Sequence, residues 1–320
     1  MPLHSLNKQS LNSFIKAEAN NLGFLECGIS KAEYLPDDAK NMERWLAAGN
    51  NGKMAYLENN REKRYDPSLL VEGAKSVITV LYNYYPDKEI QKADNYNISK
   101  YAYGNDYHYI IKEKLKRLLD LIEDKTGKSN ARVFTDSAPI LDRAWARKSG
   151  LGFIGKNTLL INRKAGSFFF IGHIITDVEL HYEESADPIS YCGSCTKCID
   201  ACPTNAIKDN YVDARSCISY LTIEHKGELP ENLKGKFNNW IFGCDICQDV
   251  CPWNRFSSSH SEPLFKPNED FTTMNKLRYD ALDKPYFKKL FKNSAVMRTG
   301  YKGLVRNIDF VRCTTNVTFS

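Results

Sequence analysis

The chain has 320 residues, 42% of them hydrophobic, and 44 Lys and Arg against 39 Asp and Glu give it a net charge of +5. That length allows about two domains with a sizeable core, and the even spread of Leu, Ile, Val, Phe and Tyr excludes a largely disordered chain. No apolar run approaches the ~20 residues that cross a bilayer, and residues 1–10 lack the apolar core of a secretion signal, so a cytoplasmic protein without a membrane partner is expected.

In chain order, residues 5–22 predict a helix, with Leu11, Phe14, Ile15 and Leu22 on one face and Gly23 as the stop. Phe24 to Ile29 predicts a buried strand. Residues 40–60 read as a polar helix anchored by Trp45 and Leu46 and turned at Gly49 to Gly52. Asp66-Pro67 starts a turn and a short helix, and Lys75 to Tyr82 is a strand. Tyr101 to Tyr109 reads as an aromatic loop holding Asp106 and His108. The helix after it places Ile111, Leu115, Leu118 and Ile122 on one face and ends at Gly127. Ala131 to Thr135 is a short strand that delivers Asp136. Ser137 is expected to cap the next helix, with Pro139 in its first turn and Gly150 closing it. Two further strands, 158–161 and 167–176, flank a turn at Lys164-Ala165-Gly166. The alternation argues for an α/β (α+β) layered domain over residues 1–183. Asp187-Pro188 marks the passage to a loop-rich segment, 184–265, and residues 266–320 form a basic helical tail.

The densest chemistry lies in that middle segment. Cys192-x-x-Cys195-x-x-Cys198-x-x-x-Cys202-Pro203 is followed by Cys244-x-x-Cys247-x-x-x-Cys251-Pro252. The first run has the spacing that bacterial ferredoxins use for [4Fe–4S] ligation, where the fourth cysteine serves the other cluster. By that rule one cluster takes Cys192, Cys195, Cys198 and Cys251. The other takes Cys202, Cys244 and Cys247, and Cys217, the remaining cysteine between the runs, completes it. Structural zinc favours two separated Cys-x-x-Cys pairs, and a disulfide framework belongs to short secreted chains. Cys27 and Cys313 are left over and read as inert thiols.

Other motifs are weaker. Gly150-x-x-x-x-Gly155-Lys156-Asn157 misses a phosphate-binding loop, because Asn stands where Ser or Thr must hold magnesium and the segment runs from helix to strand. No Gly-rich dinucleotide fingerprint follows a strand. Asp136, at a strand end before a helix, is either a capping residue or a functional carboxylate. Asp106 and His108 are either turn residues or a proton relay. Between Lys284 and Arg312 eight basic residues (Lys284, Lys288, Lys289, Lys292, Arg298, Lys302, Arg306, Arg312) face one acid, Asp309. This block is either a solvated face or a phosphate-contact surface.

Taken together, YGNDYH (Tyr103 to His108), TDSAPILDRAWARKSGLGFIGKNT (Thr135 to Thr158), CGSCTKCIDACPTNAI (Cys192 to Ile207), RSCISYLTIEH (Arg215 to His225) and FGCDICQDVCPWN (Phe242 to Asn254) resemble the epoxyqueuosine reductase family over nearly the whole chain. The resemblance implies a cobalamin-binding domain at 1–183, a ferredoxin-like two-cluster domain at 184–265, and a tail, 266–320, that begins a HEAT-like helical region which longer members continue to grip tRNA. It implies reduction of epoxyqueuosine to queuosine in tRNA, with cobalamin, two [4Fe–4S] clusters, an external low-potential electron donor and a monomeric enzyme. The family's proton-donating aspartate falls on Asp136, and Asp106, His108 and Arg143 fall near the substrate. Cobalamin contacts fall on Asn59, Ser99, Asp136, Leu160, Ile171, Ser219, Cys244 and Asp245. As general acid, Asp136 is expected to have a pKa raised by burial. Asp106-x-His108 is followed by Ile111 rather than the Gly of the histidine-ligating B12 signature, so no histidine is expected on cobalt. The alternatives are a corrinoid enzyme acting on a small molecule, similar to reductive dehalogenases, and a ferredoxin-type electron carrier without cobalamin.

Overall fold

The structure, a computed structural model, describes residues 7–90, 95–182, 190–208 and 210–312. The expected boundary at Asp187-Pro188 and the leftover Cys313 lie outside these residues. Four strands form one sheet in the spatial order Glu26–Lys31, Ser76–Asn83, Phe169–Thr176, Ala131–Phe134. Every pairing in it is antiparallel. The alternation of helix and strand in the sequence therefore resolves to α+β, because each connection returns the chain antiparallel to its neighbour rather than through a crossover.

Both central strands are buried almost throughout, which explains why they read as continuous apolar runs. One face is covered by the helices Lys8–Asn21 and Tyr107–Thr126, through Leu11, Ile15, Ile111 and Leu115 against Ile78, Val80 and Ile174. The other is covered by the helix Asp142–Lys148, whose Trp145 packs on Val77 and Ile175. Gly172 sets one of these distances: a Cβ there would lie 3.0 Å from both Ile111 and Leu115. The long helix thus lies close on the strand that leads towards the site.

Three local expectations shift. The polar helix is Pro36–Ala47, beginning before residue 40 and ending before Gly49, whose positive φ ends it. The Trp45 indole donates to Val212 O at 2.7 Å, tying that helix to the segment between the cysteine runs. The loop at 101–109 is shorter, since Asp106 caps the N-terminus of the long helix and His108 lies in its first turn. Ser137 caps nothing; its hydroxyl accepts from Lys112 Nζ at 2.8 Å, and the helix behind it starts only at Asp142.

The cysteine runs lie on short turns and two one-turn helices, Lys197–Asp200 and Ile246–Asp249. Between them, residues from Ala214 to Phe242 share one hydrophobic core with Phe271 to Val311 and with Tyr96 to Tyr103. Asn307, fully buried, seals this core by donating to Thr222 O and Ile241 O, each at 2.8 Å.

Candidate active site and paired thiolate centres

Asp136 follows the strand Ala131–Phe134, and its backbone takes a positive φ of 52°. Thr135 fixes the approach, its hydroxyl donating to Ile171 O at 2.9 Å. A left-handed non-glycine residue is held only by its surroundings, and here these are polar. The Tyr107 hydroxyl donates to Asp136 Oδ2 at 2.5 Å. His108 Nε2 lies 3.3 Å from the same oxygen, and His108 Nδ1 lies 2.6 Å from Asp106 Oδ1. The Tyr107 ring is stacked between His108 and Phe170, with centroids at 4.2 and 4.0 Å, so neither proton donor is free to swing.

The electrostatics of this row differ from the sequence expectation. Burial opposes ionisation of Asp136, but hydrogen bonds from His108 and Tyr107 and the charges of His108 and Arg298 outweigh it and hold the carboxyl below its usual range. The expected upward shift is thus reversed, because that expectation weighed burial alone and not the imidazole and phenol beside the carboxyl. His108 is pushed up to about 9: burial disfavours its charge, and the two carboxylates more than compensate. At neutral pH the row therefore holds a carboxylate at Asp136 and an imidazolium at His108, with both ring nitrogens engaged.

The Asp136 side chain is 63% exposed, yet desolvation acts on it. It lies where solvent enters and protein still closes in. Tyr56, Tyr101, Arg143 and Arg298 all lie within electrostatic reach of it. Arg298 is paired with Glu224 and stacks over Tyr56. Arg143 turns instead to Thr158, donating to its carbonyl and, at 3.2 Å, its hydroxyl. Tyr107 and Glu224 stood inside motifs quoted above and Arg298 in the basic block, but nothing local placed them beside Asp136, and Tyr56 carried no sequence signal.

Among the remaining residues proposed for cobalamin, Asn59 is exposed, and Ile171, Ser219 and Cys244 are half-buried. Leu160 is buried in the short strand Leu160–Ile161. Ser99 and Asp245 are buried and face one another across Gly243, whose Cβ would collide with the Ser99 hydroxyl. Burial pushes Asp245 up to about 6, although Lys100, Ser99 and the Lys100 backbone N–H at 2.8 Å pull it down. Lys100 is itself fully buried and also bonds Asp249 at 2.6 Å.

The cysteines gather into two neighbourhoods. Cys198 lies within electrostatic reach of Cys192, Cys195 and Cys251. Cys217 faces Cys202, and Cys244 faces Cys247 and Cys217. Cys247 looks both ways, towards Cys217 and Cys202 and towards Cys198. Burial raises Cys198, Cys217, Cys244, Cys247 and Cys251, so holding them as thiolates takes compensating positive charge. Backbone N–H groups of Ser219 and Tyr220 point at Cys217, and that of Ala206 at Cys202 Sγ at 3.3 Å, as cluster thiolates require. Among the described residues no three His, Cys, Asp or Glu close around a single ion. An all-cysteine donor set in two neighbourhoods is what iron–sulfur clusters take.

The near-miss phosphate motif has a different use. Lys156 Nζ donates to Gly193 O and Cys195 O, at 2.9 and 3.1 Å, and Asn157 donates to Cys247 O at 3.4 Å. These two residues clasp both cysteine loops to the layered domain. The basic block divides. Arg306 donates to the carbonyls of Leu221, His225 and Gly227, Arg312 pairs with Asp309, Lys289 with Asp270 and Arg298 with Glu224. Lys284, Lys288, Lys292 and Lys302 are exposed.

A family described as a 4Fe-4S double cluster binding domain matches residues 191–254, and one described as epoxyqueuosine reductase QueG, DUF1730, matches residues 64–137. The chain is 54% identical over 308 residues to an epoxyqueuosine reductase of Cellulophaga algicola, covering 95% of this chain and 99% of that one. Among solved structures it resembles an epoxyqueuosine reductase with an epoxyqueuosine-modified tRNA-Tyr stem loop (TM-score 0.87, 28% identity, 96% of this chain and 82% of the other). It also resembles one from Bacillus subtilis whose catalytic aspartate loop is swung out of the active site (TM-score 0.85, 28% identity, 96% and 82%). A B12-dependent reductive dehalogenase shares the fold alone, with a TM-score of 0.51 at 16% identity. Among the described residues no helix is long and apolar enough to cross a membrane. At 54% identity over nearly the whole length of both chains, this chain belongs to the epoxyqueuosine reductase family.

Proposed function

We propose that this chain reduces the epoxide of epoxyqueuosine in tRNA to the alkene of queuosine, with cobalamin and two [4Fe–4S] clusters as resident groups. The observation that carries the reading is the proton row Asp106–His108–Asp136 on a solvent-reached loop, in a chain whose relative binds a tRNA stem loop carrying that nucleoside. A bare electron carrier has no use for such a row.

In this reading the layered domain, 1–183, supplies the proton donors and most of the corrinoid pocket. Segment 184–265 holds the clusters: Cys192, Cys195, Cys198 and Cys251 bind the outer one, and Cys202, Cys217, Cys244 and Cys247 the inner. In the tail, Lys284, Lys288, Lys292 and Lys302 offer phosphate contacts. Of the residues proposed to hold the corrinoid, Asn59 is exposed and Ile171, Ser219 and Cys244 half-buried, and Tyr56 and Tyr101 lie within electrostatic reach of Asp136. His108 is not spare for cobalt, because both of its nitrogens face carboxylates. Ser99 and Asp245, turned towards each other, act from behind the wall. When bound, the clusters pass single electrons and the corrinoid hands them to the substrate.

Removal of the oxygen as water takes two electrons and two protons. Asp136 gives the first proton to the epoxide oxygen. Since Asp136 rests as a carboxylate and His108 as an imidazolium, the proton originates on His108 Nε2 and crosses Asp136 Oδ2 on its way. Asp106 holds the ring in register through Nδ1 and stabilises its charge. Tyr107 keeps Asp136 aimed.

The reading is tested by anaerobic turnover of epoxyqueuosine-bearing tRNA with reconstituted protein, with and without cobalamin, and mass spectrometry of the nucleosides. Loss of one oxygen only with cobalamin present is expected; no conversion by fully loaded protein would refute it. A pH profile tests the relay. His108 has a folded pKa raised from 6.5 to about 9, so its proton is present throughout the neutral range and lost as pH rises through about 9. Turnover should fall over that window, and His108→Gln should remove the descending limb while lowering kcat. An unchanged alkaline limb in the variant would take the proton store away from His108.

A further inference from the structure

The outer thiolate quartet is reached from a face that the reaction itself leaves unused. Tyr191 precedes the first ligand, Cys192, and Trp253 follows the last, Cys251, by two residues. Their rings lie 6.4 Å apart, and both rest on the buried Phe153, at 5.3 and 5.7 Å. Phe256 continues the row, 6.1 Å from Trp253. Two of these rings are left open to solvent, Tyr191 at 43% and Phe256 at 41%.

Each open ring carries an arginine. Arg163 lies over Tyr191 at 4.9 Å, and Arg255 over Phe256 at 4.5 Å. The two come from distant parts of the chain and are brought to one rim by a close approach of backbones. Gly166, at the end of the turn that bears Arg163 and Lys164, has no room for a Cβ, which would fall 2.2 Å from Asn254 Oδ1. The same Asn254 oxygen accepts from Ser167 N at 2.6 Å, and Ser257 Oγ donates to Ala165 O at 3.2 Å. Lys197 stands exposed in the same cysteine loop, while Asp200 accepts from Thr196. Lys156 adds its ammonium to the loop from below.

Aromatic rings with arginines over them are the composition of interface hot spots, and an exposed apolar row with a basic rim is uncommon on a face that meets only water. We infer that this face docks an acidic, low-potential one-electron carrier protein, which delivers electrons to the outer cluster. Charge complementarity selects the occupant: a carrier with a carboxylate-rich surface meets Arg163, Lys164, Lys197 and Arg255 and is steered to them. Each encounter oxidises the carrier by one electron and reduces the cluster by one, with no proton moved. The inference rests on the outer-cluster ligands assigned above but not on the RNA substrate.

The test therefore omits RNA. Reconstituted holoprotein is mixed anaerobically in stopped flow with a reduced plant-type [2Fe–2S] ferredoxin, an acidic carrier, or with photoreduced deazaflavin, a small reductant, and bleaching of the clusters is followed. For the Arg163→Glu, Arg255→Glu double variant, the second-order rate with ferredoxin is expected to fall at least tenfold and to lose its salt dependence. Its rate with deazaflavin and its iron content should stay as in wild type. If the double variant fails to hold iron, Lys164→Glu at the exposed turn reads the same rate with a smaller expected loss. An unchanged ferredoxin rate, or an equal fall with both reductants, overturns the docking site. Neither outcome bears on whether the epoxide is reduced.

Discussion

Asp136→Asn is expected to lower kcat by about 10²–10⁴-fold, the usual worth of a positioned general acid, while iron content and affinity for the tRNA stem loop stay near wild type. The substitution keeps the shape of the side chain and its ability to accept from Tyr107, so the loop with its positive φ has the same anchor. What it removes is the charge. His108 then keeps only Asp106 as a carboxylate partner, and its pKa should fall below about 9. Titration of the imidazole by NMR provides a second readout that a merely structural role would not move. A variant that turns over within twofold of wild type would show that the proton comes from elsewhere.

Cys217→Ser is expected to halve the iron, from about eight to about four atoms per chain, and to abolish turnover while the spectroscopic signal of the outer cluster persists. Cys217 does not belong to either spaced run. It sits between the turn Ala214–Ser216 and the helix Ile218–Ile223, where the first N–H groups of a helix meet its sulfur. Positive helix ends and N–H donors favour a thiolate there, and its neighbour is Cys202 of the first run. Iron analysis with electron paramagnetic resonance of the reduced protein checks the result. Full iron content in the variant would mean that Cys202, Cys244 and Cys247 find their fourth ligand elsewhere.

The contrast between these two sites shows what the amino-acid sequence carries. Cysteine ligation is written in short spacings, so seven of the eight proposed ligands could be read from two local runs, and Cys217 by elimination. The strands were equally legible, since buried apolar runs mark them. Their direction was not: helix–strand alternation is compatible with parallel and antiparallel order, and only the pairing of Ser76–Asn83 with Phe169–Thr176 decides it. Asp106 and His108 were picked out as a pair and Asp136 by itself, but the packing that brings them together includes Gly172, which lets a helix close on a strand. The sign of the Asp136 shift followed from that geometry and was misjudged without it. Glu224 and Arg298 reach the site through the shared core of Ala214 to Val311, a long-range arrangement that no local pattern encodes. The basic block was legible only as charge: density along the chain does not tell a lysine that faces water from an arginine such as Arg306 that ties down three carbonyls.

That shared core also has a consequence for how the protein is made. The segment carrying Cys217 and Cys244 rests on Leu304, Ile308 and Val311, and Asn307 locks its carbonyls. On the ribosome Leu304, Ile308 and Val311 are joined well after Cys217 and Cys244, so the packing beneath those two cysteines is completed only once these later residues have emerged. A transcript interrupted shortly before Gly300 would yield a chain that still displays all eight proposed ligand cysteines but lacks the helix on whose core Cys217 and Cys244 rest.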